Sequence, residues 1–134
     1  MSYCCNILPH LALSIRHTMT PSISVIISTR NSPVWLEKVL WGYENQNYKK
    51  FQLIIADDGS DHQTKNLIDN YRKTSGMQID HLWHPENGCQ KSMMLNRAVM
   101  HADGDYLIFS EDNCIPRFDF VNTHKNTAKP NHFL

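Results

Sequence analysis

Two clusters of acidic residues are the part of this chain best suited to chemistry. Asp57 and Asp58 stand side by side after the apolar run Leu53-Ile54-Ile55-Ala56, and Glu111-Asp112-Asn113 follows Tyr106-Leu107-Ile108-Phe109-Ser110. Carboxylates held close together repel unless a cation or a hydrogen-bonding ligand lies between them. Two or three oxygen donors in succession suit Mg²⁺ or Mn²⁺, which keep several waters and bind through carboxylates together with a ligand's phosphates. Each cluster also has a plainer explanation. One aspartate of the first can cap a helix and close the Gly59 turn, and the second cluster can be a solvated turn. The cap accounts for one of the two aspartates, not for both after so apolar a run. Lys91 follows Asn87-Gly88-Cys89-Gln90, a flexible turn at a helix N-terminus, where an ammonium can neutralise a diphosphate. Taken alone it is an ordinary exposed lysine. His81 and His84, in and beside a strand, fit surface or packed positions better than ligand positions. Trp35, Trp41, Trp83 and the Met93-Met94 pair fit core or helix-face packing.

The elements that must hold these residues are readable from residue 22 onward. Ser24-Val25-Ile26-Ile27-Ser28 has the β-branched, apolar character of a strand buried on both faces. Ser32 and Pro33 then open a helix as N-cap and first residue, with Leu36, Val39, Leu40 and Tyr43 on its inner stripe. The helix should fray around residues 45–47. Residues 51–56 form a second buried strand. Ser60 or Asp61 caps a second helix, whose inner stripe is Thr64, Leu67, Ile68 and Tyr71. Residues 78–83 alternate as a half-buried strand. A third helix is expected over residues 91–101, with Leu95, Ala98 and Val99 inward, and a fourth strand over 106–109. Such alternation predicts an α/β chain: a mostly parallel sheet with helices on its faces. Ser28-Thr29-Arg30-Asn31, Asp57-Asp58-Gly59-Ser60 and Ser110-Glu111-Asp112-Asn113 each come directly after a predicted strand. The carboxyl ends of strands form the ligand crevice of an open parallel sheet, so the three clusters should converge on one edge.

Composition narrows the choice further. The chain has 134 residues, 41% hydrophobic and 19% charged, enough for one ordinary core without disulfide or metal staples. Thirteen basic and thirteen acidic side chains cancel, which argues against a nucleic-acid partner. Cys4, Cys5, Cys89 and Cys114 have neither a disulfide framework's spacing nor a zinc site's, in keeping with a reducing cytoplasm. The apolar stretch over residues 7–15 is broken by Pro9, His10 and Ser14 and is far short of the ~20 residues a membrane span needs. Residues 1–21 are set apart as a leader of uncertain structure. A phosphoacceptor domain of the receiver type would need its acid pair after the first strand, and a dinucleotide-binding oxidoreductase would need GxGxxG there. The sequence has neither.

The order and spacing of several segments resemble the nucleotide-binding half of family 2 glycosyltransferases, which have the GT-A fold. These are SVIISTRN at residues 24–31, Gln46-Asn47-Tyr48, LIIADDGS at 53–60, Glu86-Asn87-Gly88, Gln90-Lys91-Ser92, Leu95-Asn96-Arg97-Ala98 and GDYLIFSEDNCIP at 104–116. The resemblance spans about residues 22–121. It implies a Rossmann-like three-layer sandwich that binds a nucleotide sugar, UDP-linked, with Mn²⁺ or Mg²⁺. By the same resemblance, Ser28 and Arg30 line the nucleotide pocket, although the Arg30 position commonly holds an aromatic residue. Asp58 accepts a hydrogen bond from the uracil ring, with Asp57 supporting the loop, and Lys91 faces the diphosphate. Glu111-Asp112-Asn113 occupies the place of the DxD motif, whose carboxylates contact the ribose and hold the metal. Two registers stay open there: Glu111 and Asn113 as the outer pair, or Asp112 as the metal ligand.

Family members continue past this point into an acceptor-binding half that carries the catalytic base. Few residues follow Val121 here, so residues 22–134 are expected to be the donor half of an incomplete transferase, truncated after the DxD-like strand, with no candidate base. The acceptor implied is a glycan or a lipid-linked saccharide, which would station the protein in the cytoplasm or at the inner membrane face. The alternative is a remnant that keeps the fold with little or no transferase activity. Self-association through the uncovered face is expected in either case.

Overall fold

A computed structural model describes residues 20–85, 88–132 and 134. Most of the 1–21 leader, Cys4, Cys5 and the Glu86-Asn87 pair lie outside the described residues. The element order is β1 (Ile23–Thr29), α1 (Pro33–Glu44), β2 (Phe51–Asp57), α2 (His62–Thr74), β3 (Ile79–Trp83), α3 (Lys91–His101), β4 (Tyr106–Glu111) and α4 (Phe120–Thr127). All pairings are parallel, in the order β3-β2-β1-β4. This is the mostly parallel, three-layer α/β arrangement expected from the alternation of strands and helices.

Alternation along each strand builds two cores. Val25 and Ile27 of β1, Leu53 and Ile55 of β2 and Ile108 of β4 meet Leu36, Val39, Leu40 and Tyr43 of α1, Ile68 of α2 and Val121 of α4 on one face. Ile26, Ile54 and Ala56 meet Met94 and Ala98 of α3 on the other. β1, paired on both edges and covered on both faces, is buried at all seven positions. Each large aliphatic side chain so buried contributes about 1.5–3 kcal/mol, and this holds the central strand ends fixed.

The helix signals act in part as expected. Pro33 opens α1 after Ser32, but no side-chain cap bond forms there. Asp61, not Ser60, caps α2, its carboxylate accepting from the N–H groups of Gln63 and Thr64. Gly59 adopts φ +77, a conformation that favours glycine, and turns the chain between β2 and that cap.

Three expectations need correction. Of the core or helix-face packing expected for the tryptophans, core burial is not found: Trp35 and Trp41 on α1 and Trp83 on β3 are 50%, 61% and 42% exposed. Lys38 lies over the Trp35 ring, and Trp83 donates from its indole N–H to the Ser60 carbonyl, so each ring has a local role without deep burial. On α3 Met94 and Ala98 are buried and Leu95 packs against the same core as expected, while Val99 is exposed, because the helix docks on its 94–98 stripe. The Met pair therefore splits, Met93 lying largely outside. Finally, α4 has no counterpart in the sequence reading. Its segment, FVNTHKNT, offers only Phe120 and Val121 as apolar residues, too few to display a helical period.

Candidate functional site

Because the strands are parallel, their carboxyl ends lie on one edge, and backbone hydrogen bonds extend the ladders past them. The Asp58 N–H donates to the Thr29 carbonyl at 3.0 Å, and the Asp112 N–H donates to the Ser28 carbonyl at 3.1 Å. The loops after β2 and β4 are thereby tied to the end of β1 from either side. Asn31 locks the first of these: its N–H donates to Ser60 Oγ and its Oδ1 accepts from the Asp61 N–H, both at 2.8 Å.

A cavity of about 260 Å³ opens there, lined by Ser28, Thr29, Arg30, Asp58, Cys89, Lys91, Glu111 and Asp112. Six of these residues, all but Thr29 and Cys89, are ones singled out from the sequence. Asp57 and Asn113 stand outside its wall. Asp57 is fully buried beneath the loop, accepting from the Ser60 N–H on Oδ1 at 2.8 Å and meeting His81 Nε2 on Oδ2 at 2.8 Å. Asn113 is exposed and accepts a long contact from the Cys114 thiol.

Asp58 is the most tightly held acid in the wall. Its Oδ1 meets His84 Nε2 at 2.9 Å and accepts from the Gln90 N–H at 2.9 Å, while its Oδ2 lies 3.5 Å from Arg30 Nη1. Burial pushes this carboxyl upward. Hydrogen bonds from His84, the Gln90 N–H and Cys89, together with the Arg30 charge, more than offset that, so it is held below the usual carboxylate range. The opposite wall carries an ion pair, Lys91 Nζ to Glu111 Oε1 at 2.6 Å. The bond to Glu111 raises the Lys91 pKa against a smaller effect of burial, and the charge of Asp112 adds to the rise. Both side chains are about half exposed, so the pair is worth only about 0–1 kcal/mol and opens readily to a competing anion. Asp112 Oδ2 accepts from Thr29 Oγ1 at 2.8 Å.

The wall also fits a divalent ion's needs. Glu111 and Asp112 bring two hard carboxylates to it, and Mg²⁺ or Mn²⁺ is commonly held by one or two such groups with phosphates and water. Among the described residues, no group of three His, Cys, Asp or Glu side chains forms a cage that would hold an ion without a ligand.

Sequence reasoning did not assign Cys89 to this cavity and, above all, did not see that His81 and His84, read as surface or packed residues, pack against the two aspartates. β2 and β3 run in register, Ile55 beside His81 and Asp57 beside Trp83, which brings each histidine to one of the paired aspartates. The signal was present: two histidines three residues apart, at the end of a strand adjacent to the one that ends in two acids.

The glycosyl transferase family 2 model matches residues 24–131. The chain is 29% identical over 93 residues to the GalNAc(5)-diNAcBac-PP-undecaprenol beta-1,3-glucosyltransferase of Campylobacter jejuni, covering 69% of this chain and 30% of that protein. It is 28% identical over 108 residues to the poly(ribitol-phosphate) beta-N-acetylglucosaminyltransferase TarS of Staphylococcus aureus, covering 79% of this chain and 17% of TarS. Among solved structures, the mannosyltransferase PcManGT of Pyrobaculum calidifontis, in complex with GDP-Man and Mn²⁺, superposes with a TM-score of 0.74. It is 24% identical, with 84% of this chain and 34% of that one covered. S. aureus TarS in complex with UDP-GlcNAc superposes at 0.65 with 22% identity, over 78% of this chain and 30% of that one. These structures share the fold. The chain spans 17–34% of the length of these relatives.

Proposed function

Because the chain belongs to glycosyl transferase family 2, we propose that the cavity at the carboxyl edge of its sheet binds a nucleotide-sugar donor, UDP-linked, whose sugar the whole protein passes to a saccharide or lipid-linked acceptor. The observation that carries this reading is the convergence of Asp58, Arg30, Lys91, Glu111 and Asp112, distant in sequence, on one opening. Relatives support the donor class: one solved neighbour is in complex with GDP-Man and another with UDP-GlcNAc. The acceptor class follows from the undecaprenol-linked and poly(ribitol-phosphate) substrates in the relatives' names.

In this reading Asp58 accepts from the base N–H, Ser28 and Arg30 flank the nucleoside, and Asp57 holds the loop from below. Lys91 exchanges Glu111 for the diphosphate, which frees Glu111 for the ribose and the ion. Glu111 and Asp112 would hold Mn²⁺ or Mg²⁺, with Asn113 as the remaining oxygen donor of the cluster. The ion would supply charge neutralisation on the departing nucleoside diphosphate. Removal of the acceptor's proton needs a carboxylate; among the described residues of the cavity, Asp58 is held by His84, Glu111 by Lys91 and Asp112 by Thr29. The second reading is a remnant that keeps the fold without turnover.

No described helix is long and apolar enough to cross a membrane. We place the protein in the cytoplasm, at the inner membrane face where its acceptor is lipid-linked, and expect it to associate with itself along the free edge of β4.

Calorimetry with UDP and Mn²⁺ tests the donor reading. Metal-dependent binding to the wild type, lost in Asp58→Ala, supports it, and silence with both UDP and GDP refutes it. Binding without transfer from UDP-sugars to any acceptor selects the remnant.

A further inference from the structure

His84 is nearly buried and both of its ring nitrogens are engaged. Nδ1 lies 2.6 Å from the Pro85 carbonyl oxygen and Nε2 lies 2.9 Å from Asp58 Oδ1. A carbonyl oxygen can only accept, so Nδ1 carries a proton. A neutral imidazole has one N–H, and that one is then spent on Pro85. Nε2 would face the carboxylate with a bare lone pair unless a second proton sits between them. Asp58 is held in its ionised form by the Gln90 N–H and by Arg30 as well as by His84, so it has no proton to give. The second proton therefore belongs to His84. His81 differs: its Nε2 meets Asp57, and one N–H satisfies that contact without a charge.

We infer that His84 is a positioning residue for donor recognition: as an imidazolium it donates from Nε2 to Asp58 Oδ1 and holds that carboxylate with Oδ2 turned to Arg30 at the cavity wall. The inference rests on the donor reading above. Among the described residues, the charged and titratable groups around the pair are Arg30 from the β1 loop and Cys89 from the segment before α3, both beside Asp58, with Asp57 and His81 paired next to them. Removing the Nε2 proton sets a lone pair against an anionic oxygen at 2.9 Å, so the carboxylate must turn away. A carboxylate so oriented accepts from a base N–H, as uracil and guanine offer at their pairing edge, and has nothing to offer the bare ring nitrogen of cytosine.

The test uses the full chain in two arms. Nitrogen-15 correlation spectra of the wild type at about pH 7 should show both His84 ring nitrogens protonated. A single protonated nitrogen overturns the inference without touching the donor reading. Calorimetry with UDP and Mn²⁺ should show His84→Ala binding about tenfold more weakly than the wild type and His84→Gln recovering most of that affinity. The glutamine amide can donate to Asp58 as Nε2 does, whereas alanine cannot. Equal losses in the two variants overturn the positioning role. A doubly protonated His84 in a chain that binds no nucleotide overturns the donor reading and leaves the pair as structure alone.

Discussion

Two neighbouring aspartates do different work because successive residues at the end of a strand point to opposite sides. Asp57 turns inward, where the Ser60 N–H and His81 depend on it. Removing a buried acceptor orphans its donors at about 1–3 kcal/mol each, so Asp57→Ala should lower unfolding free energy by about 2–4 kcal/mol in urea titration. Asp58 turns to the cavity, and its cost should appear first in nucleotide affinity. Its depressed pKa also has a signature in stability. A carboxyl lower in the folded state than in the unfolded chain stabilises the fold at pH above the ordinary value of about 3.9, and that contribution disappears as pH falls through the folded value. Wild-type stability should therefore fall more steeply than that of Asp58→Asn below about pH 4, measured by denaturant unfolding across the acid range. Equal slopes would mean that His84, Gln90 and Arg30 do not favour the ionised form.

At the scale of elements, hydrophobic period alone located seven of the eight, and α3 begins at Lys91 and ends at His101 as its pattern predicts. Strands came out one or two residues longer or shorter, since the ladder rather than the apolar run decides where a strand ends. What the pattern could not carry was pairing between elements. The contacts of Asp57 with His81 and Asp58 with His84 require β3 to lie beside β2 in one particular register, and no local period encodes a neighbour. The same holds for the approach of the segment after β4 to α1. A Cβ on Gly42 would sit 2.7 Å from Pro116 Cδ and 3.2 Å from Ile115 Cγ2. Alanine gains about 1 kcal/mol of helix propensity there but overpacks at about 1–3 kcal/mol, so the contact wins. Gly42→Ala should cost up to about 2 kcal/mol in thermal or urea unfolding. It should also weaken Mn²⁺-dependent nucleotide binding, because Ile115 and Pro116 directly follow the Glu111–Cys114 turn that holds Asp112. Unchanged metal dependence would show that this turn adjusts independently of the cavity.

On the scale of the whole molecule, the strand order decides which loops meet at the carboxyl edge and which strand lies at the margin. Parallel pairing sends every strand end that carries an acid to one edge, and the central place of β1 puts the loops after β2 and β4 on either side of it. Among the described residues the same order leaves β4 at the margin, hydrogen-bonded to β1 on one side only. Phe109 is 56% exposed there, beside a groove of about 600 Å³ whose walls include Tyr106, Ile108, Phe120 and Leu134. Folded chains blunt such an edge with charge, proline or a covering element, because a free ladder beside apolar side chains pairs with another chain. The six residues of β4 offer one charge, Glu111 at its last position, and none along the middle. A second copy can satisfy both needs at once by continuing the sheet across β4 and covering Phe109. Sedimentation velocity of the wild type should show mass rising with concentration, and Phe109→Lys, which places a charge on the exposed side of that strand, should remain a monomer over the same range. A wild type that stays monomeric throughout would mean that β4 needs no second copy to cover it.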